Sequence, residues 1–251
     1  MYYIKSLVPK YLRKVSRVLA VSENTKKDII KHYGLREDLI EVNYNGFDSS
    51  RFQPLQKEEK RSFSRLEEKK EYILYVSRIE HPGKNHIKLV EAYEQLPEEL
   101  KEKYNLVFAG QHWSGSEVVL ERIKKSSDKN RIFVTGFVPH ECLPELYREA
   151  SLFVFPSLYE GFGFPLLETM ACGVPAVCSN TASLPEIGKD AALTFDPQNA
   201  EDMKNKMERV LSDNTLMSNL KEKGLQRAQE FSWPNHISKI IRTYEAACGN
   251  S

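Results

Sequence analysis

The sequence predicts an α/β protein whose main domain is a Rossmann-like, doubly wound parallel sheet. From Glu71 onward, apolar runs of strand length alternate with segments of helical periodicity, which is the pattern of successive βαβ units. The runs are apolar throughout rather than at every second position, so both faces of the sheet should be covered by helices. Crossovers between parallel strands are nearly always right-handed, which leaves few alternative topologies.

The chain before Glu71 carries fewer elements. RVLAVS is an apolar run of strand length, and ENTKKDIIKHYG follows as a helix that Gly34 can end. LIEVNYNGFD is predicted to be a second strand that runs into a turn at Asn45-Gly46. Residues 53–70 are charged and offer almost nothing to bury, so we predict a linker there.

The main domain then follows the alternation in order. Its predicted strands are YILYVS, YNLVFAG, RIFVTG, SLFVFPS, VPAVCS and ALTF. The predicted helices are NHIKLVEAYEQL, SEVVLERIKKSS, CLPELYREA, PLLETMACG and NAEDMKNKMERVLSD, followed by two more over residues 216–230 and 235–248.

Composition and charge exclude several classes of function. The 251 residues carry a net charge of +1, so no overall field attracts nucleic acid. No apolar run approaches the roughly 20 residues of a membrane span, and the N-terminus lacks the apolar core of a signal peptide. The four cysteines show neither metal-ligand spacing nor a dense disulfide pattern. We therefore expect a cytoplasmic protein; a basic N-terminal stretch leaves open peripheral contact with the inner face of a membrane.

Two cations follow the first strand of the main domain. Ligands bind open parallel sheets at the carboxyl ends of the strands, where Arg78 and, six residues later, Lys84 should lie. An arginine fork and a compact lysine charge together suit a diphosphate. The alternative is that both pair with surface carboxylates such as Glu80.

A glycine-rich turn follows the strand SLFVFPS. Gly161 and Gly163 let the backbone approach a ligand closely, and Pro165 fits the start of a helix whose N–H groups form an anion site. Glu160 precedes the turn and Glu168 lies one helical turn inside. They should face different parts of one ligand, although Glu168 could simply complement the helix dipole and Glu160 could be an ordinary loop carboxylate.

Two further glycines, Gly110 and Gly136, end strands at the same edge. Small residues there leave room for a ligand, and the segment 137–139 that follows offers backbone groups and an apolar wall to a nucleobase. The alternative is that these glycines only end strands. There is no Asp-X-Asp and no metal-ligand cluster, so any diphosphate would be neutralised by Arg78, Lys84 and helix N–H groups, without a divalent ion or other cofactor.

In combination, these segments resemble a known family. VSRIEHPGKN, the run from FVTGFVPH through YEGFGFPLLETMACGVP to LTFDP, and the closing FSW are similar to family 4 of the retaining GT-B glycosyltransferases. The resemblance covers residues 17–240, and the family's glutamate, seven residues, glutamate signature matches Glu160 and Glu168.

The resemblance implies roles for the site residues. Arg78 and Lys84 would bind the diphosphate, Glu160 would lie beside the transferred sugar and form the catalytic set with them, and Glu168 would hold the ribose hydroxyls. The remaining donor-binding residues that we predict are Ser77, Gly110, Phe137, Val138, Pro139, Tyr159, Gly161, Phe162, Gly163 and Phe164.

The resemblance also implies an activity. It is transfer of a mannose- or glucose-type hexose from a nucleoside-diphosphate sugar to a hydroxyl of a sugar or lipid-linked sugar, with retention, in surface polysaccharide or glycolipid synthesis. The alternatives are a non-catalytic nucleotide-sugar-binding module and, less favoured by the glutamate spacing, a sugar-nucleotide epimerase.

One departure from the family concerns the N-terminal side. Members carry a whole N-terminal acceptor-binding domain, of which residues 1–52 match only the last part. We therefore expect residues 71–234 to bind the donor and residues 235–251 to form a helix that packs back on the first part. Either the chain is a fragment of a longer protein, or a separate partner chain supplies the missing N-terminal half. We expect the chain alone to be inactive in transfer.

Overall fold

The computed structural model describes residues 7–12, 14–54 and 71–248; the predicted linker lies outside these residues except for its first two. The chain divides into two compact units. One comprises residues 1–48 and 231–251, and the other comprises residues 49–230.

The smaller unit begins with the elements α1 (Val8–Leu12), β1 (Val18–Ala20), α2 (Glu23–Tyr33) and β2 (Ile40–Val42). β1 and β2 pair in parallel. Ser22 caps α2 by accepting a hydrogen bond from the Thr25 amide at 3.0 Å. Gly34 ends the helix as predicted, at φ 64°, and its amide donates to the Ile30 carbonyl.

The larger unit contains a six-stranded sheet in which every neighbouring pair is parallel. Its strands are β3 (Glu71–Val76), β4 (Tyr104–Ala109), β5 (Ile132–Val134), β6 (Leu152–Phe155), β7 (Ala176–Ser179) and β8 (Ala192–Phe195). They lie in the order β5-β4-β3-β6-β7-β8. Counted from β3 this is 3-2-1-4-5-6, the Rossmann order, so the predicted fold is confirmed and the order reverses between β3 and β6.

Helices cover the sheet in two groups. They are α3 (His86–Glu94), α4 (Glu98–Lys103), α5 (Ser116–Lys124), α6 (Leu143–Arg148), α7 (Phe164–Ala171), α8 (Leu184–Gly188), α9 (Ala200–Ser212) and α10 (Asn214–Ala228). α3 packs with α5 and α9, whereas α7 packs with α6, α8 and α10. α4 (EELKEK) and α8 (LPEIG) were not predicted from the sequence, whereas α6, which is similarly short, was.

The core of the larger unit is aromatic at the centre of the sheet. Tyr75 packs edge-on against Phe108 with ring centroids 6.2 Å apart, and at 5.9 Å from Phe155, which in turn meets Phe153. All four side chains are at most 1% exposed. Because β3, β4 and β6 share this cluster, the ends of these strands are held at fixed positions.

The closing helix α11 (Trp233–Cys248) belongs to the smaller unit. It bonds to β2 and the residues after it: Lys239 Nζ donates to the Val42 carbonyl at 2.6 Å, and His236 Nδ1 lies 2.9 Å from the Tyr44 carbonyl oxygen. A Cβ on Gly46 would lie 2.1 Å from the Trp233 amide nitrogen, so only glycine fits there. Within the residues that the structure describes, no helix is both long and apolar enough to cross a membrane.

Candidate active site

The candidate site lies where the strand order reverses, between the loops that follow β3 and β6. The Tyr75 hydroxyl donates to the Lys84 carbonyl at 2.9 Å and lies 3.0 Å from Ser157 Oγ, so it joins both loops. The Leu158 amide also donates to the Gly83 carbonyl at 3.0 Å. Open α/β sheets bind ligands in the crevice at this switch point. Here hydrogen bonds connect the two loops that border the crevice.

Lys84 and Glu160 form an ion pair across this crevice. Lys84 Nζ lies 2.7 Å from Glu160 Oε1, and the two side chains are only 18% and 17% exposed. The sequence left open whether Lys84 binds a diphosphate or pairs with a carboxylate such as Glu80. In the structure it does pair with a carboxylate, but that carboxylate is Glu160. A lysine ammonium has three donors, so one bond to Glu160 leaves two N–H groups for ligand oxygens.

Arg78 lies in the loop that follows β3 and is more exposed than Lys84. Its Nη2 atom lies 3.3 Å from Glu80 Oε2, the carboxylate named in the alternative interpretation, and its guanidinium stacks 4.8 Å above the ring of Trp113. The side chain is 53% exposed. Exposed ion pairs contribute at most about 1 kcal/mol, so Arg78 can turn to an incoming anion at small cost.

The glycine turn between β6 and α7 is held from behind by Ser183. Its buried hydroxyl lies 2.9 Å from the Glu160 carbonyl oxygen and 2.8 Å from that of Phe162. Gly163 caps α7 at φ 106°, a conformation that favours glycine, and Pro165 lies in the first turn as predicted. The positive end of the α7 dipole therefore lies at this turn.

Open space borders two of the glycines. A Cβ on Gly161 or on Gly136 would meet nothing within 4 Å. Large aromatic side chains are exposed close to them in the chain, namely Tyr159, Phe164 and Phe137, the last at 65%. Exposed aromatic groups beside open backbone are typical of ligand sites.

Glu168 lies in α7 with its carboxylate half-buried. The buried Tyr147 hydroxyl donates to Glu168 Oε2 at 3.0 Å. Burial raises the pKa of Glu168 to about 7, an effect that the Tyr147 hydrogen bond and the charge of Arg51 partly offset. Glu168 therefore titrates near neutral pH, which is unusual for a residue whose only role is to complement a helix dipole.

The strand ends beside β3 form the other side of the crevice. Gly110 follows β4 and donates its amide to the Gly136 carbonyl at 3.0 Å. A Cβ on Gly110 would lie 1.8 Å from the Ser77 carbonyl oxygen, so this glycine does more than end a strand. In the segment 137–139, Phe137 is exposed and Val138 is buried, which gives that segment one apolar face toward the core and one toward solvent.

His86 and Tyr147 are among the site-supporting residues that were not predicted from the sequence. His86 is fully buried at the start of α3, and its Nε2 atom lies 3.2 Å from Ser77 Oγ. Burial lowers the pKa of His86 to about 4, so the imidazole is neutral and can order Ser77 without adding charge. A lone buried histidine or tyrosine in a helix has no distinctive sequence pattern, and neither could have been found without tertiary contacts.

The structure brings the predicted residues together in three groups. Lys84, Glu160 and the glycine turn meet directly; Ser77 and Gly110 adjoin one another beside Arg78; and Glu168 bonds to Tyr147, apart from the Lys84–Glu160 pair. Within residues 7–12, 14–54 and 71–248 there is no group of three or more histidine, cysteine or acidic side chains suited to a metal ion. Independence from divalent ions stays a prediction.

Solved structures of two other proteins have a fold similar to that of this chain. Sucrose-phosphate synthase from Thermosynechococcus elongatus superposes with a TM-score of 0.84 at 22% identity, over 98% of this chain and 62% of that one. Anabaena Alr3699/HepE in complex with UDP-glucose superposes with a TM-score of 0.80 at 21% identity, over 95% of this chain and 68% of that one. At these identities the likeness shows the fold.

Family models identify the chain more closely. Residues 56–227 match the model of glycosyl transferases group 1, and residues 1–51 match that of Glycosyltransferase Family 4. The chain belongs to the glycosyl transferases group 1 family.

Two relatives from Escherichia coli have mannosyltransferase names. The chain is 39% identical over 174 residues to O-antigen chain mannosyltransferase B, covering 69% of this chain and 45% of the relative. It is 33% identical over 253 residues to serotype-specific mannosyltransferase WbdA, covering 97% and 30%. The chain thus spans less than half the length of either relative.

Proposed function

We propose that this chain forms the donor side of a retaining hexosyltransferase that uses a nucleoside-diphosphate sugar. The observation that carries the proposal is the Lys84–Glu160 pair at the switch point, at the turn that leads into α7. The names of the two Escherichia coli relatives favour mannose as the sugar and a surface polysaccharide as the product. The acceptor is then a hydroxyl of a sugar or lipid-linked sugar.

The arrangement suits the charges of this reaction. The bond between the anomeric carbon and the β-phosphate oxygen breaks, and the nucleoside diphosphate leaves with the growing negative charge. The acceptor hydroxyl oxygen bonds to the anomeric carbon and releases its proton to the departing diphosphate or to solvent. We expect Arg78, the two remaining N–H groups of Lys84 and the α7 dipole to stabilise that charge without a metal. Glu160, held by Lys84 and Ser183, would position the sugar.

The remaining residues fit the other parts of the donor. Glu168 would accept hydrogen bonds from the ribose hydroxyls, and the exposed segment 137–139 would contact the base. Ser77 and Gly110 would line the crevice between base and phosphates, with Gly110 needed for close backbone approach. Retention is proposed from the resemblance to family 4 alone. We assign no residue here as a covalent nucleophile.

Donor binding is the first test. Thermal unfolding of the chain would be followed with GDP-mannose, UDP-glucose and UDP-N-acetylglucosamine, because a ligand that binds the folded state raises Tm by mass action. We expect one donor to raise Tm well above the others. A chain that none of the three stabilises would contradict the proposal.

Transfer is the second test, and it is run with the chain alone and with the chain combined with a separately supplied acceptor-binding half. Purified enzyme, the selected donor and a mannose-terminated acceptor would be incubated, and the anomeric configuration of the product read by NMR. An inverted product would overturn the retaining assignment. Donor binding without any transfer or donor hydrolysis would favour a binding module instead.

A further inference from the structure

We propose that Tyr147 is a positioning residue that orients the Glu168 carboxylate toward the vicinal hydroxyls of the donor's ribose. The inference rests on the proposed function, since it assumes a ribonucleoside diphosphate in the crevice. It adds a residue from a different helix to the site. It also assigns each of the two Glu168 oxygens a separate task.

The Tyr147 side chain is held rigidly. It is completely buried in α6, and its ring packs edge-on against Phe153 at 5.8 Å and Phe52 at 6.1 Å between centroids. Burial, and next the charge of Glu168, raise the pKa of the phenol well above its usual value, so the hydroxyl keeps its proton as a donor. Packing thus fixes the ring, and the hydroxyl can point only where the ring aims it.

That hydroxyl is aimed at Glu168. It donates to Oε2 at 3.0 Å, which leaves Oε1 with its lone pairs for other donors. A glutamate side chain in α7 has three rotatable bonds, and a hydrogen bond from a fixed partner selects one arrangement of them. Glu168 Oε1, once its position is fixed, can accept hydrogen bonds from the two neighbouring hydroxyls of a ribose.

The position of α6 in the chain agrees with this task. α6 begins four residues after Pro139, the last residue of the proposed base segment, and α7 begins directly after the proposed phosphate turn. α6 and α7 pack together. Ribose lies between base and phosphates in a nucleotide, so a bond between these two helices lies where the ribose would be.

The charged and titratable groups around Glu168 determine its pH response. They are Tyr147 from α6, Arg51 from the segment before the predicted linker, and Cys172 next to the end of α7, which Arg148 also influences. Burial raises the pKa of Cys172 to about 12, so the thiol stays neutral and adds no charge. The ionised form of Glu168 is therefore favoured by the Tyr147 bond and by Arg51.

The experiment compares ribose recognition in Tyr147→Phe and in wild type. Dissociation constants would be measured by calorimetry for GDP and UDP and for their 2′,3′-dideoxy counterparts, from pH 5.5 to 9. The ratio of dideoxy to native dissociation constants isolates the ribose hydroxyls, and it cancels the titration of the diphosphate. In wild type this ratio should fall as pH decreases through about 7, because protonation of Glu168 removes its acceptor capacity.

Tyr147→Phe should lower the ratio about tenfold at pH 7, as expected for the loss of one hydrogen bond to a charged group. The midpoint of the pH profile should also move to higher pH, because the lost bond stabilised the ionised carboxylate. Tyr93→Phe is the matched control: Tyr93 is equally buried, and its hydroxyl donates to the Tyr104 carbonyl at the opposite edge of the sheet. Its ratio and midpoint should equal those of wild type.

The outcomes separate the inference from the proposed function. If neither nucleotide binds wild type, the proposed function fails and the inference fails with it. If wild type binds but its ratio is one at every pH, or if Tyr147→Phe leaves the ratio and midpoint unchanged, the inference alone is overturned. Equal loss of native and dideoxy binding would show that Tyr147 only maintains the fold.

A second variant covers the case in which Tyr147→Phe does not fold. Site-specific 3-fluorotyrosine at position 147 keeps the ring and the hydroxyl, and the fluorine makes the hydroxyl a stronger donor. The midpoint of the ribose-dependent profile should then move to lower pH. A midpoint that does not move would overturn the inference.

Discussion

Replacing Lys84 should separate its two roles, as partner of Glu160 and as ligand of the diphosphate. Lys84→Ala removes a cation whose Nζ atom lies 2.7 Å from Glu160 Oε1 in a pair less than one-fifth exposed. Phosphate contacts of a charged donor contribute about 1.5–3 kcal/mol, so the dissociation constant for GDP or UDP should rise roughly 10- to 150-fold. Isothermal calorimetry measures this change directly.

The same change should also cost stability. Glu160 would be left half-buried without its cation, which costs about 1–3 kcal/mol. For a domain of this size Tm should fall by roughly 2–12 °C, measured by calorimetric or fluorescence-detected unfolding. Lys84 is only 18% exposed and paired with Glu160, so its loss should not be neutral for stability.

Glu160→Gln provides the background that distinguishes the roles. A neutral amide needs no cation, so adding Lys84→Ala to Glu160→Gln should lower Tm far less than Lys84→Ala does alone. The loss of nucleotide affinity should persist, at about tenfold or more relative to Glu160→Gln. Lys88→Ala, which removes a more exposed lysine paired with Glu91 on α3, is the control and should change neither quantity appreciably.

Two results would refute the reasoning. One is an unchanged dissociation constant in Lys84→Ala. The other is a loss of affinity that disappears in the Glu160→Gln background, because Lys84 would then act only by neutralising Glu160.

The remaining predictions concern the same crevice. Arg78→Ala should weaken GDP or UDP binding by roughly tenfold with Tm almost unchanged, since the side chain is half-exposed; a large fall in Tm would contradict this. Gly110→Ala should lower Tm strongly, because its Cβ would lie 1.8 Å from the Ser77 carbonyl oxygen. A Tm equal to that of wild type would show that the backbone can shift to accommodate the methyl group. Glu168→Gln should weaken binding of the nucleotide without its sugar, whereas Glu160→Gln should impair only sugar-dependent steps. Equal losses of nucleotide affinity in the two variants, measured by calorimetry, would contradict this division of roles. Transfer by the chain combined with an acceptor-binding half should persist in excess EDTA, and rescue by magnesium or manganese after inhibition would show that a metal is needed.

Much of the fold follows from local pattern. Continuous apolar runs, amphipathic helices and glycines at strand ends are determined by side-chain burial within a few residues, so each long element appeared where it was predicted. The Pro165 and Gly34 positions agree for the same reason, since helix ends depend on local backbone preferences. The short α4 and α8 were not predicted, whereas the similarly short α6 was.

Pairings across the chain depend on the sheet. Lys84 and Glu160 are 76 residues apart, and only the reversal of strand order between β3 and β6 brings their loops together. The sequence indicated that both residues lie at the carboxyl edge, but it suggested Glu80 as the carboxylate near Lys84. Distance along the chain favoured Glu80, whereas strand order determines which loops are neighbours.

The sequence by itself determined the α/β class, the edge of the sheet that carries the site and the residue types suited to a diphosphate, because these follow from local periodicity and side-chain chemistry. Tertiary structure alone decided the partners: Lys84 with Glu160, His86 with Ser77, and Tyr147 with Glu168. The pKa values of Glu168 and His86 were decided there as well. Burial and hydrogen bonding depend on which helices pack together, and no local pattern in the chain encodes that.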